Sequence, residues 1–453
     1  MVDKVVKKIG GAEAESNALR EKILNAQDSL NVRGTVFYVS SNGDDANDGL
    51  SPETAVKTFE RLSKLPVLPE TTVLFERGSV FRIKEPLWAT PGVGYGTYGK
   101  GEKPKILGSL RDYADPTIWQ LSETPNVWSI ELKTQERAAL TVFNNETYIG
   151  AWKYTFDELE KDGDYYHDTE KGIYYLYFEG VNPGEYFDNI EITTTKMAIM
   201  GKFLKKVVID NLCVKYFSFG AFQFAESDEI TISNCELGWH GGRIFNVNEK
   251  TGKPLLYGNA IEFWYQCSEL KVENCWVYQV FDAAMTFQGS GPNGRARFDD
   301  IKFHDNLIEY CSMNIEHWVG GGASPEEAHT KDISYKGNII RFSGYGWGGI
   351  YRFDKEDQAS LLGWNRQYDD VTNFVISDCI LDCADSYMIY LHGPKTQKGM
   401  FLSNMTYYQS KVSGTHDCVE IIKGYPNKAS NQKEFEEAIA LFDENPKLVK
   451  WLD

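Results

Sequence analysis

Seven stretches of the chain share one pattern of apolar and polar positions: VVIDNLCV, ITISNCEL, LKVENCWV, IKFHDNLIE, ISYKGNIIR, FVISDCIL and MFLSNMTY. Each reads as a short strand, a polar turn residue and a second short strand. The turn residues are Asn211, Asn234, Asn274, Asn306, Asn338, Asp378 and Asn404, at intervals of 23 to 40 residues. Asparagine at a tight bend tolerates unusual dihedrals and can bond a neighbour's backbone or side chain, so one per coil predicts an asparagine ladder. A sandwich of hairpins would alternate its turn types. The same unit repeated predicts parallel strands buried by stacking, with the longer intervals holding loop insertions.

A third strand-like run follows the units: GAFQFA, NAIEFW, AAMTFQ, MNIEHW, GIYRFD and MIYLHG. Aligned, one column reads Phe222, Ile261, Met285, Ile315, Ile350 and Ile389, uniformly apolar and therefore core-facing. The next position must face out: Gln223, Glu262, Thr286, Glu316, Tyr351 and Tyr390. Two positions further on, also outward, come Ala225, Trp264, Gln288, Trp318, Phe353 and His392. The core takes alternate residues of each strand, and the carboxylates belong to the other half.

Both ends carry capping signals, which a solenoid needs because its last coil exposes a core and an edge. Residues 1–35 predict a helical extension, with a helix over 12–26. NQKEFEEAIALFDENPKLVKWL, within 426–453, predicts a C-terminal cap, with Asn431 and Glu434 as a capping box and Phe435, Ile439 and Phe442 as an apolar stripe. The body runs over 36–425, and residues 108–190 break the repeat as an inserted β-rich elaboration. With the opening FYVSSNGDDANDGLSPETAVKTFERL, these repeats resemble the pectate-lyase-like right-handed parallel β-helix superfamily over about 35–420, among its bacterial β-helix repeat proteins of carbohydrate-active type. The resemblance implies an all-β right-handed parallel β-helix with three strands per coil and a substrate groove along the third strand. The NTD, GHG and RIK segments of the polygalacturonase-like hydrolases are absent; Asp369–Asp370 falls in a loop, and GWHGGR is not GHG.

Composition narrows the partners. The net charge is −18 and aromatic residues make up 14% of the chain. Such a surface repels nucleic acid, anionic membranes and polyanions unless a local basic patch intervenes, and the longest basic cluster is Lys4 to Lys8. No apolar run is long enough to span a membrane, and the N-terminus has no apolar leader, so a cytoplasmic protein is expected unless a leader has been removed. Eight cysteines without a CxxC pair or zinc spacing read as small hydrophobes in a reducing compartment. GDDANDG has the look of a calcium loop, but Ala46 stands where a ligand is needed, so a plain turn is expected and no metal.

The outward columns carry the candidate chemistry. Glu262 and Glu316 share one column two coils apart, about 9.6 Å between backbones at the usual strand spacing. Asp282 precedes the strand between them. Two carboxylates, one protonated and one charged, suffice for glycoside hydrolysis, and crowding of like charge keeps one protonated near neutral pH. A solvated surface acid is the bland alternative for each, and Asp282 can also cap a turn. Trp264, Gln288 and Trp318 flank the acids as sugar-binding groups. Trp239, His240 and Arg243 of GWHGGR, Trp347 of SGYGWGG, Tyr351, and His392 are further substrate-binding candidates. His317 and Arg352 stand where other coils have Phe or Leu; each is inward and paired, or turned to the groove. Long loops leaving this strand, GSGPNGRARF, VGGGASPEEAHT and DKEDQASLLGWNRQYD, would narrow the groove to a pocket.

The expected function is a glycoside hydrolase acting on oligosaccharide or polysaccharide through a carboxylate pair, without cofactor. A polysaccharide lyase or uronate epimerase, with calcium and a base among Tyr351, Arg352 and His392, is the alternative. A non-catalytic carbohydrate-binding β-helix is the third.

Overall fold

The computed structural model describes residues 2–134, 136–247, 254–289, 296–319, 328–352, 359–365, 370–392, 400–410, 419–420, 428–441 and 443–452. Two large parallel sheets carry the body. One joins sixteen strands and the other ten, and neighbouring strands in each come from successive coils rather than from hairpins. One coil illustrates the plan. Ile261–Glu273 pairs in parallel with Gly220–Ser233, both strands bending at a register shift near Ala225, and Trp276–Val280 then crosses to the ten-stranded sheet. Inward side chains stack from coil to coil into one apolar core containing Phe222, Ile261, Met285, Ile315, Leu361 and Ile389.

The pairing corrects the asparagine ladder. Glu273 lies opposite His304, so Asn274 is level with Asp305, not with Asn306. Two adjacent columns result. Asn211, Asn234, Asn274, Asp305, Gly337, Asp378 and Asn404 have positive φ and make the bend. One residue further on, Cys235, Cys275, Asn306, Asn338, Cys379 and Met405 are buried. Within that buried column Asn306 and Asn338 carry the bonding: Asn306 Nδ2 donates to Asn338 Oδ1 at 3.0 Å, Asn306 Oδ1 accepts from Cys275 N at 2.9 Å, and Asn338 Nδ2 reaches Cys379 Sγ at 3.7 Å.

A second correction concerns the coil after Met313–Val319. GIYRFD does not supply its strand: Trp347–Tyr351 is a short helix, and Ala359–Asn365 pairs with Met313–Val319 instead. Ile350 and Tyr351 therefore leave the aligned columns, Leu362 and Trp364 enter them, and Phe353 lies outside the described residues.

At the N-terminal end, Phe59 and Leu62 of the helix Phe59–Leu62 pack into the core beside Val39, Phe75 and Phe81. At the other end, Gln432–Ile439 is capped by Asn431 and buries Phe435 and Ile439; Phe442 lies outside the described residues. The helix Glu13–Leu24 closes neither end. It lies along the outside of the ten-stranded sheet, where Ala12 and Ile23 pack on Leu307 and Ile339. Residues 108–190 build two small sheets around a separate core of Trp119, Ile130, Phe143, Tyr174 and Phe187. Among the described residues no helix is long and apolar enough to cross a membrane.

Candidate active site

The ladder sets Gln223, Glu262, Thr286 and Glu316 side by side on four successive strands. Trp264, Gln288 and Trp318 form the parallel column two residues on. Strand alternation therefore puts both glutamates on the non-core face, two rungs apart. They are nevertheless enclosed, Glu262 at 0% exposure and Glu316 at 7%. Part of the cover is the antiparallel hairpin of Arg243–Val247 and Pro254–Tyr257, whose last residue reaches Glu262.

Glu262 is saturated with donors. Its Oε1 accepts from Tyr257 Oη, Asn259 Nδ2 and Gln288 Nε2, each at 2.8 Å, and its Oε2 accepts from Gln223 Nε2 at 2.7 Å. Trp264 Nε1 approaches the same carboxyl without a well-aligned bond. Burial pushes the Glu262 pKa up, and these donors, which favour the ionised form, hold it back.

Glu316 has fewer donors. Thr286 Oγ1 gives it one bond at 2.8 Å. Its pKa is pushed up to about 8, first by burial and next by the negative charge of Asp282, against smaller downward pulls from Thr286 and Arg352. Asp282, 4% exposed, enters the strand Ala283–Gly289 and is ion-paired to Arg352 Nη1 at 2.6 Å. An opposite charge at that distance favours its ionised form. Burial thus favours the protonated form of Glu316, beside a carboxylate whose ion pair favours its charged form.

The other candidates divide. Gln288 joins the site through Glu262 and Tyr257, and Trp264 and Trp318 are partly exposed at its side. Arg352 joins it too, from the end of the short helix rather than from a strand. His317 does not: it faces the core, stacked on Phe287 at 4.8 Å, with its Nε2 3.1 Å from Thr330 Oγ1. Trp239 and His240 lie on Glu236–His240 in the ten-stranded sheet and are buried, and burial holds the His240 pKa down to about 3. Trp347 is also buried, its Nε1 donating to Gln279 O and its ring packed on Phe281. Tyr351 Oη donates to Asp3 at 2.8 Å, away from the carboxylates. Arg243 pairs with Glu136 of the inserted lobe. His392 ends the strand Tyr387–His392, level with Trp364; the side chains of both lie outside the described residues.

Sequence reasoning missed Tyr257 and Asn259. Asn259 Oδ1 also accepts from Ala283 N at 2.9 Å, locking two coils together beneath Glu262. Its place three residues before an outward acid was a usable signal; Tyr257, on a hairpin, had none. In GDDANDG, Asp45 accepts from the Lys57 and Thr58 amides and Asp48 from that of Leu50, so these carboxylates serve turns. Among the described residues no group of three His, Cys, Asp or Glu is arranged to hold a metal.

No family model matches the chain, and no curated protein matches it. Solved structures do. XylC in its complex with xylose aligns with a TM-score of 0.48 and 13% identity over 92% of this chain and 83% of that one. A structure titled glycoside hydrolase gives 0.46 and 10% over 92% and 96%. Polygalacturonase from Erwinia carotovora ssp. carotovora gives 0.40 and 8% over 89% and 100%. At such identities no residue role carries over, and the site stands on its own geometry.

Proposed function

We propose that the protein is a glycoside hydrolase acting on oligosaccharides, with Glu316 as general acid and Asp282 as its charged partner. The observation that supports this most is the division of protonation between two buried neighbours. Burial and the charge of Asp282 keep Glu316 protonated, while Arg352 keeps Asp282 ionised. Glu316 would give its proton to the leaving glycosidic oxygen. Asp282 would activate water or attack the anomeric carbon, and the stereochemistry of the product tells which. Glu262, its lone pairs occupied by four donors, would position Gln288 and Tyr257 rather than exchange protons. Trp264 and Trp318 offer ring faces to the sugar.

The lyase or epimerase reading has weaker support. Among its candidate bases, Arg352 is engaged by Asp282 and Tyr351 by Asp3.

The test is a panel of neutral and uronate oligosaccharides, with products read by mass and by absorbance of unsaturated uronate. Glu316→Gln and Asp282→Asn should each lose about 10²–10⁴-fold in kcat. Glu262→Gln should keep measurable turnover. Unsaturated products that survive in Glu316→Gln and Asp282→Asn would overturn the hydrolase.

A further inference from the structure

The outward column does not end at Gln223. Its next members toward the N-terminus are Met200 and Trp88, the latter three rungs from Glu262. At the usual strand spacing that is about 14 Å. Both residues line a cleft of about 450 Å³, on the same face of the sheet as the carboxylates.

Three features mark this cleft as built for a ligand. Trp88 is 63% exposed, a large ring left in water and rimmed by polar groups. Thr194, on the cleft wall and 3% exposed, has an Oγ1 with no hydrogen-bond partner among the described residues. A buried hydroxyl without a partner is costly, and a ligand hydroxyl would relieve it. Lys84 and Lys196 line the cleft from separate segments and make no ion pair among the described residues; Lys196 Nζ lies over the Phe219 ring at 5.7 Å, a contact that leaves its N–H groups able to donate, and Glu85 adds an acceptor. No run of sequence announces this grouping, because 84–88 and 194–200 meet only through the pairing of Leu87–Trp88 with Met197–Lys202.

The cleft is also joined to the carboxylates. Glu136 on its rim is held by Arg243, the first residue of the hairpin whose Tyr257 bonds Glu262. We infer that the cleft is a distal saccharide subsite: a sugar unit stacks on Trp88 and bonds Thr194 and Lys196 while a bond further along the same oligosaccharide lies at Asp282 and Glu316. This rests on the hydrolase reading for its second half, and it makes chains of several units the preferred substrates over disaccharides.

The experiment uses the full chain carrying Glu316→Gln, so that nothing is turned over, and titrates it calorimetrically with neutral and uronate oligosaccharides of two to six units. Affinity should rise at least tenfold from the shortest to the longest member of the series that binds. Trp88→Ala should remove that rise, about tenfold for one aromatic platform, and leave disaccharide binding unchanged. Lys196→Gln and Thr194→Val, which keep the local shape, should each remove part of it. Affinity independent of length, an unchanged length profile in Trp88→Ala, or no binding by any member would overturn the subsite. Product assays on the chain with Glu316 restored answer separately: hydrolysis without a length-dependent affinity loses only the subsite, and length-dependent affinity without hydrolysis loses only the proposed reaction.

Discussion

Glu316 and Asp282 bring two carboxyls into one buried site, and burial together with the charge of Asp282 raises the pKa of Glu316. The consequence for pH follows from the direction of that shift. A carboxyl whose folded pKa is raised, here from 4.5 to about 8, favours the folded state below 4.5 and progressively disfavours it as pH rises toward 8. Across that window the parent should lose up to about 1.4 kcal/mol per pH unit relative to Glu316→Gln. Urea melts of both proteins at pH 5 and pH 8 check this; parallel stabilities would show that Glu316 is ionised throughout. For catalysis the same proton sets the alkaline limb. With Glu316 as acid, kcat/KM should fall about tenfold per unit above pH 8, and Glu262→Gln should reduce the rate without abolishing that limb. Arg352→Met would leave Asp282 buried without its cation, raise its pKa, and move the acid limb upward.

Elements were legible where alternation and ladder agreed. The glutamate column could be read because strands of period two, stacked in register, leave little choice of face. The fifth rung could not. IYRFD has the aromatic and β-branched residues of a strand, yet Gly348 and Gly349 lie so close to Phe281 and Gly344 that a Cβ on either would meet backbone within 2.4 Å. That close approach turns the chain into a short helix, and it is also what carries Arg352 to Asp282. ASLLGWN, which resembled loop, takes the strand position because it can pair with Met313–Val319. Of the two alternatives for His317 the structure takes the inward one, and His240, read from GWHGGR as a loop residue, lies buried on the strand Glu236–His240. The shifted asparagines carry a prediction. Asn338 accepts from Asn306 and donates to Phe303 O at 2.7 Å, inside the core. Asn338→Ala removes these partners and leaves Asn306 Nδ2 with one bond fewer, so it should cost about 1–3 kcal/mol in unfolding free energy. Asn404→Ala, at an exposed bend, should cost distinctly less. Equal losses would mean that the bend, not the buried bonding, is what these residues supply.

At the scale of the molecule, the first thirty residues act as a strap. Asp3–Lys4 adds a strand to the inserted lobe through Tyr148–Ile149, and the Gly11 and Ala12 amides donate to the buried Asp382 carboxylate at 2.9 and 3.0 Å. Arg20 then pairs with Glu309, and Ser29 N donates to Asp210. One segment thus crosses the lobe and several coils of the ten-stranded sheet. Its anchor is Arg341, 1% exposed, which faces Glu13 from the strap and Glu309 and Asp382 from the coils. The strap also depends on close approach: a Cβ at Gly11 would fall 2.1 Å from the Tyr408 ring. Arg341→Met would leave Asp382 buried without its cation and Glu309 with Arg20 alone, a loss of about 3–5 kcal/mol, together with release of the strap. Gly11→Ala should release the strap and leave the coils intact. Limited proteolysis separates the two: both variants should be cut between residues 25 and 35 under conditions where the parent resists, but only Arg341→Met should also unfold at markedly lower urea. If Gly11→Ala resists cleavage as the parent does, the close approach to Tyr408 is not needed for docking, and the contacts of Asp3–Lys4, Arg20 and the Arg341 anchor suffice to hold the strap.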